Sequence, residues 1–140
     1  MRVLLWLVLF LVVLLGGYRI YIGVWGNPAV IEELRDNPDG ERAARAMIVT
    51  LQDGRIFPVN YLREADTVYM GIDGLWWRAF REPGAPVSML IQGEALRGHA
   101  LAVLDDPEYT ADVFERLRPA APDWLPAWLN GKLVVIQLDG

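Results

Sequence analysis

No cysteine occurs among the 140 residues, which excludes disulfides and thiolate metal sites. One histidine, His99, is too few for a histidine metal cluster. Positive charge is scarce: 13 basic residues stand against 18 acidic ones, a net charge of −5. Two of the basic residues, Arg2 and Arg19, belong to the apolar N-terminal segment, so the remainder is more acidic still. That balance argues against nucleic acid as a partner and against docking on anionic lipid through the domain surface. No internal repeat and no low-complexity segment is present. No nucleophile, histidine and acid are spaced as a hydrolytic constellation, and no Gly-rich loop follows a strand and opens a helix.

Apolar residues are in excess, at 54%. Most of that excess lies in "VLLWLVLFLVVLLGGYRIYIGVWG" (Val3 to Gly26), which is uninterrupted from Val3 to Leu15 and carries Arg19 as its only charge. About 20 apolar residues cross a bilayer core. Tyr18, Tyr21 and Trp25 suit one membrane interface, and Arg19 can snorkel there. A cleavable signal would need small residues three and one positions before the cut, whereas Gly16 and Gly17 are preceded by leucines. The expectation is an uncleaved single-pass anchor over 1–26, a linker over 27–45 and one domain over 46–140.

In the linker, Asn27 and Pro28 are expected to start a short helix ending near Arg35, and "DNPDG" to turn the chain. The pattern then becomes strand-like: Ala46 to Leu51, Ile56 to Glu64, Thr67 to Asp73, Val87 to Gly93, Leu96 to Asp106 and Lys132 to Asp139. Asp53-Gly54 and Gly93-Glu94 mark hairpins. Pro58 lacks an amide donor, so its strand should be an edge there or bulged. Gly98 suggests a bulge or a strongly coiled strand. "DDPEYTADVFERLRP" is a helix capped by Asp106, begun by Pro107 and ended by Pro119, with Tyr109, Val113 and Leu117 on one face. Trp124 and Trp128, in a Pro-broken segment, are spaced to share a face. Six short strands and one inserted helix predict a mainly β chain closed into a small barrel.

The run from "DTVYMG" through "GLWWRAFREPGAPVSMLIQGEALRGHALAVLDD" and the helix to "LVVIQLD" resembles the flavin- and deazaflavin-dependent oxidoreductase superfamily. That superfamily has the split barrel shared with pyridoxamine-phosphate oxidase, and the resemblance is nearest to its deazaflavin-dependent nitroreductase branch. It covers Ala46 to Asp139, and its most specific piece is Trp76 to Val87. The resemblance implies a six-stranded split barrel with deazaflavin or FMN across the split, usually at a homodimer interface. It also implies hydride transfer to a small organic acceptor such as a quinone or nitro compound, and a domain on the cytoplasmic side. One departure counts against a cofactor. The loop after the first strand, expected to be long and basic, is only "LQDGR", and its Arg55 adjoins Asp53. The alternative is a barrel without cofactor, serving as an accessory or structural subunit of a larger membrane complex.

Under the resemblance the cofactor-binding residues are Thr50, Arg55, Asn60, Trp76, Trp77, Arg78 and Arg81. Thr50 and Asn60 can bond a ring edge or a phosphate, or simply alternate along their strands. Adjacent tryptophans in an extended segment face opposite ways, so one of Trp76 and Trp77 should pack inward and the other line the site. Arg78 or Arg81 should face a cleft. His99 reads as a strand histidine, and Asp105 and Asp106 as a helix start. No catalytic side chain is required, because the cofactor carries the chemistry.

Overall fold

The computed structural model describes residues 1–21, 27–119 and 131–139, the side chains of 18–21 excepted. Helix α1 spans Arg2–Tyr21. Its side chains from Val3 to Leu15 are 51–73% exposed, on every side of the helix. Among the described residues no helix is long and apolar enough to cross a membrane. The side chains expected at the interface, Tyr18, Arg19, Tyr21 and Trp25, lie outside that description, as do Trp124 and Trp128.

Helix α2, Asn27–Asp36, is the short linker helix. It is followed by strands β1 (Ala46–Thr50), β2 (Ile56–Glu64) and β3 (Thr67–Ile72), a 3-10 helix (Leu75–Phe80), β4 (Ala85–Ile91), β5 (Glu94–Val103), helix α3 (Pro107–Leu117) and β6 (Lys132–Leu138). The strands close into an antiparallel barrel in the order β1-β2-β3-β6-β5-β4.

Alternation explains the core. Met47, Val49 and Leu51 point inward with Val68, Met70, Ile72, Met89, Val134 and Ile136. The opposite faces of two strands are covered by helices. Ala46 and Ile48 of β1 pack under Leu34 and Ile31 of α2. Leu133 and Val135 of β6 pack under Val113, Phe114 and Leu117 of α3. This is why both strands read as continuous apolar runs rather than alternating ones. Asp106 caps α3 as expected, accepting from the Tyr109 amide at 3.1 Å.

Two local expectations need correction. The β4–β5 turn is Gln92-Gly93, with φ of 49° and 81°; Glu94 already pairs with Ile91. Two consecutive positive φ values suit a two-residue turn whose twist matches the strands. Gly98 forms no bulge: it continues the ladders to Val87 and to Leu138. A Cβ there would sit 2.5 Å from the Gln137 carbonyl oxygen and 2.7 Å from Ile136 Cγ2, so glycine is needed for close strand approach.

The ladder between β2 and β3 is incomplete. Residues 61–64 of β2 pair with β3, whereas residues 56–60 pair with β1. Gly71 and Ile72, at the end of β3, therefore have β6 partners and none on β2. Pro58 lies in the half of β2 that has no β3 partner, so it is a local edge residue, as its missing donor requires.

Candidate functional site

The barrel is split between the first half of β2 and the end of β3, and the 3-10 helix that follows β3 fills the gap. Phe80, at its end, has no solvent exposure. The Trp76 indole stacks on Phe57 of β2, with centroids 4.3 Å apart and planes 4° from parallel, and meets Phe80 edge-on at 6.2 Å. Such pairs add roughly 0.5–1.5 kcal/mol beyond area burial. Trp77 is also half-buried against the barrel core. The expected division, one tryptophan inward and one lining the site, assumed an extended segment. A 3-10 turn of three residues instead brings both indoles against the barrel.

The cations sit around this aromatic wall. The Arg81 guanidinium carbon is 5.1 Å, and Lys132 Nζ 5.7 Å, from the Trp77 ring centroid. Both distances are within cation–π range. Arg55 lies 5.9 Å from the Phe57 centroid. Its Nε donates to Asp53 Oδ2 at 2.7 Å and its amide to Asp53 Oδ1 at 3.0 Å. These bonds, the amide bond foremost, hold the Asp53 carboxyl below its ordinary pKa. Arg78 is exposed. Among the described residues, neither Arg78 nor Arg81 has a carboxylate within ion-pair distance.

Five of the seven expected residues, Arg55, Trp76, Trp77, Arg78 and Arg81, thus gather at one end of the barrel. Thr50, opposite Ile56, lies at the same end, but neither it nor Asn60 faces the aromatic wall. On β1 and β2 the inward positions are Met47, Val49, Phe57, Val59 and Tyr61, so the register puts Thr50 and Asn60 on the outer face. Asn60, opposite Ala46, lies about 13 Å along β2 from Ile56. His99 is placed by its Nε2, 2.8 Å from the Pro83 carbonyl oxygen.

Sequence reasoning did not pick out Phe57 and Lys132. Phe57 was legible as the first aromatic at an inward position of a strand, with Val59 and Tyr61 following at spacing two. Lys132 gave no local signal; the β3–β6 pairing of Ile72 with Lys132 brings it to the split.

No family model and no curated protein sequence matches the chain. Solved structures match in shape. A protein from Listeria innocua assigned as a pyridoxamine 5'-phosphate oxidase has a TM-score of 0.53 and 14% identity, over 69% of this chain and 85% of that one. An FAD and heme binding protein from Mycobacterium smegmatis has a TM-score of 0.47 and 21% identity, over 78% of this chain and 66% of that one. An FMN-binding protein from Syntrophomonas wolfei is more distant, with a TM-score of 0.37 and 10% identity, over 90% and 93% of the two chains. The first of these likenesses is one of fold alone. In fold, the chain is a six-stranded split barrel similar to that protein.

Proposed function

We propose that this is a membrane-anchored split-barrel reductase that holds flavin mononucleotide or a deazaflavin at the split and reduces a small organic acceptor such as a quinone or nitro compound. The observation that carries the reading is the aromatic wall at the split, Phe57 on Trp76 beside Trp77, with Arg78 and Arg81 at its rim. Arg78 and Arg81, joined by Lys132, suit a phosphate, since charge-assisted bonds to an anion are the strong ones. The flat indoles suit a planar ring. Supporting this are the resemblance of Trp76 to Val87 to the flavin and deazaflavin superfamily and the barrel's likeness to a protein assigned as a pyridoxamine 5'-phosphate oxidase. When bound, the cofactor supplies hydride transfer, and the chain's residues supply placement and shielding from water.

The anchor belongs to the same reading. It rests on the unbroken apolar stretch Val3 to Leu15, on the apolar residues that follow, and on α1 side chains from Val3 to Leu15 that are all more than half exposed. The barrel then lies on the cytoplasmic side, as a homodimer or within a larger membrane complex. A second reading has its own support. The Phe57–Trp76 stack already fills the split, and Asp53 already occupies Arg55. A barrel so closed suits an accessory subunit that binds no cofactor. Visible absorbance of the full-length protein, purified in detergent from cells that make both cofactors, separates the two. A band near the flavin or deazaflavin maximum is expected; colourless protein supports the closed barrel.

A further inference from the structure

Resting on the anchor reading above, we infer that the split end of the barrel is the face held against the bilayer, with Leu75 and Ile56 meeting the headgroup region. The direction of α2 carries the inference. Pro38, two residues beyond α2, lies beside Gly93 in the β4–β5 turn: a Cβ added at Gly93 would sit 3.1 Å from Pro38 Cβ. Pro28 and Ile31, near the start of α2, line a groove with Ile56, the first residue of β2, and the lining continues along the helix to Arg35 and Asp36. Helix α2 therefore runs from the Ile56 end of the barrel towards the opposite end. Its first residue follows Tyr21 of α1 by six residue steps, which span no more than about 20 Å. A helix embedded in a membrane thus holds the barrel by the Ile56 end. The antiparallel register puts the β1–β2 turn, the end of β3, the 3-10 helix, the end of β5 and the start of β6 at that same end.

Exposure gives a second, independent observation. Outside α1, the exposed large aliphatic side chains among the described residues are Ile56 at 41%, Leu75 at 68% and Leu104 at 50%. All three fall at the split end. The opposite end carries turns with Glu64, Asp66, Gln92 and Glu94. Charge at the split end is mixed, since Asp53, Asp73, Glu82, Asp105 and Asp106 accompany the cations. The partner is therefore a neutral phospholipid surface, contacted through apolar side chains. The mouth at Trp76 and Trp77 then opens onto the headgroups, and a ligand reaches it from the membrane surface.

The absence of cysteine allows a single labelled position. Full-length Leu75→Cys and Ala65→Cys proteins, each carrying a fluorophore, are placed in phosphatidylcholine vesicles containing headgroup nitroxide lipid. Ala65 is exposed and lies in the β2–β3 turn at the far end. The expected result is loss of fluorescence at position 75 and none at 65. Equal or greater loss at 65, or none at either while the protein floats with the vesicles, overturns the orientation and leaves the anchor standing. A protein that does not float overturns the anchor, and the orientation with it.

Discussion

Ile136 and Val135 are neighbours on β6 and face opposite ways. Ile136 has no solvent exposure and points into the barrel; Val135 is half-buried beneath α3. The sequence shows that one of an adjacent pair must face the core, but not which, because β6 is apolar on both faces. Ile136→Asp should leave the domain unfolded. An unpaired carboxylate buried there costs several kcal/mol of a total near 5–15 kcal/mol. Val135→Asp should lower the melting temperature and still fold. Circular dichroism melts of the two variants check this, and equal melting would contradict the assigned faces. Tyr109 offers a pH test. Partial desolvation and the neighbouring Tyr69 push its phenol up to about 12 from 10.0, although 36% of the residue stays exposed. A raised folded-state pKa gives stability that is complete below the unfolded value and lost as pH rises through the folded one. Stability should therefore fall between pH 10 and about 12, and less steeply in Tyr109→Phe. Denaturant midpoints measured across that window decide it, and identical slopes would exclude Tyr109 as the cause.

At the scale of elements, α3 sits on β3 because Gly71 gives it room. A Cβ at Gly71 would lie 2.6 Å from Phe114 Cε1 and 3.0 Å from Arg118 Nη2. Gly71→Ala should lift Phe114 off the sheet and cost about 1–3 kcal/mol, the usual penalty for overpacking. Urea denaturation measures that cost, and an unchanged midpoint would mean α3 shifts freely. Much of this level was legible in the sequence. The succession of six strands along the chain, the turn at Asp53-Gly54 and the start of α3 at Asp106-Pro107 follow from local chemistry: positive φ at Gly54, an oxygen on the Tyr109 amide, a proline where no donor is needed. The conformation of residues 75–80 was not legible. "LWWRAF" has neither a strand alternation nor enough length for a helical period. Its 3-10 turn is imposed by Phe57 and the barrel core, far away in sequence. For the same reason the pairing of Lys132 with the split, and the outward facing of Thr50 and Asn60, emerge only once register is known.

The described strands form a closed barrel in which the β2–β3 ladder stops short, and aromatic side chains fill the gap it leaves. The candidate site is the rim of that closure rather than a deep cavity. This arrangement allows two functions, and the cations distinguish them. If Arg78 serves a phosphate, losing it removes about 1.5–3 kcal/mol of charge-assisted bonding, which weakens binding about 10- to 150-fold. The most direct measurement is a titration of flavin mononucleotide and a deazaflavin cofactor into the full-length parent and Arg78→Ala proteins, read by tryptophan fluorescence. Saturable quenching by one cofactor in the parent, with binding weakened to that extent in Arg78→Ala, is the predicted result. No binding to the parent at high micromolar concentration of either cofactor would contradict the reductase and leave the closed, tethered barrel.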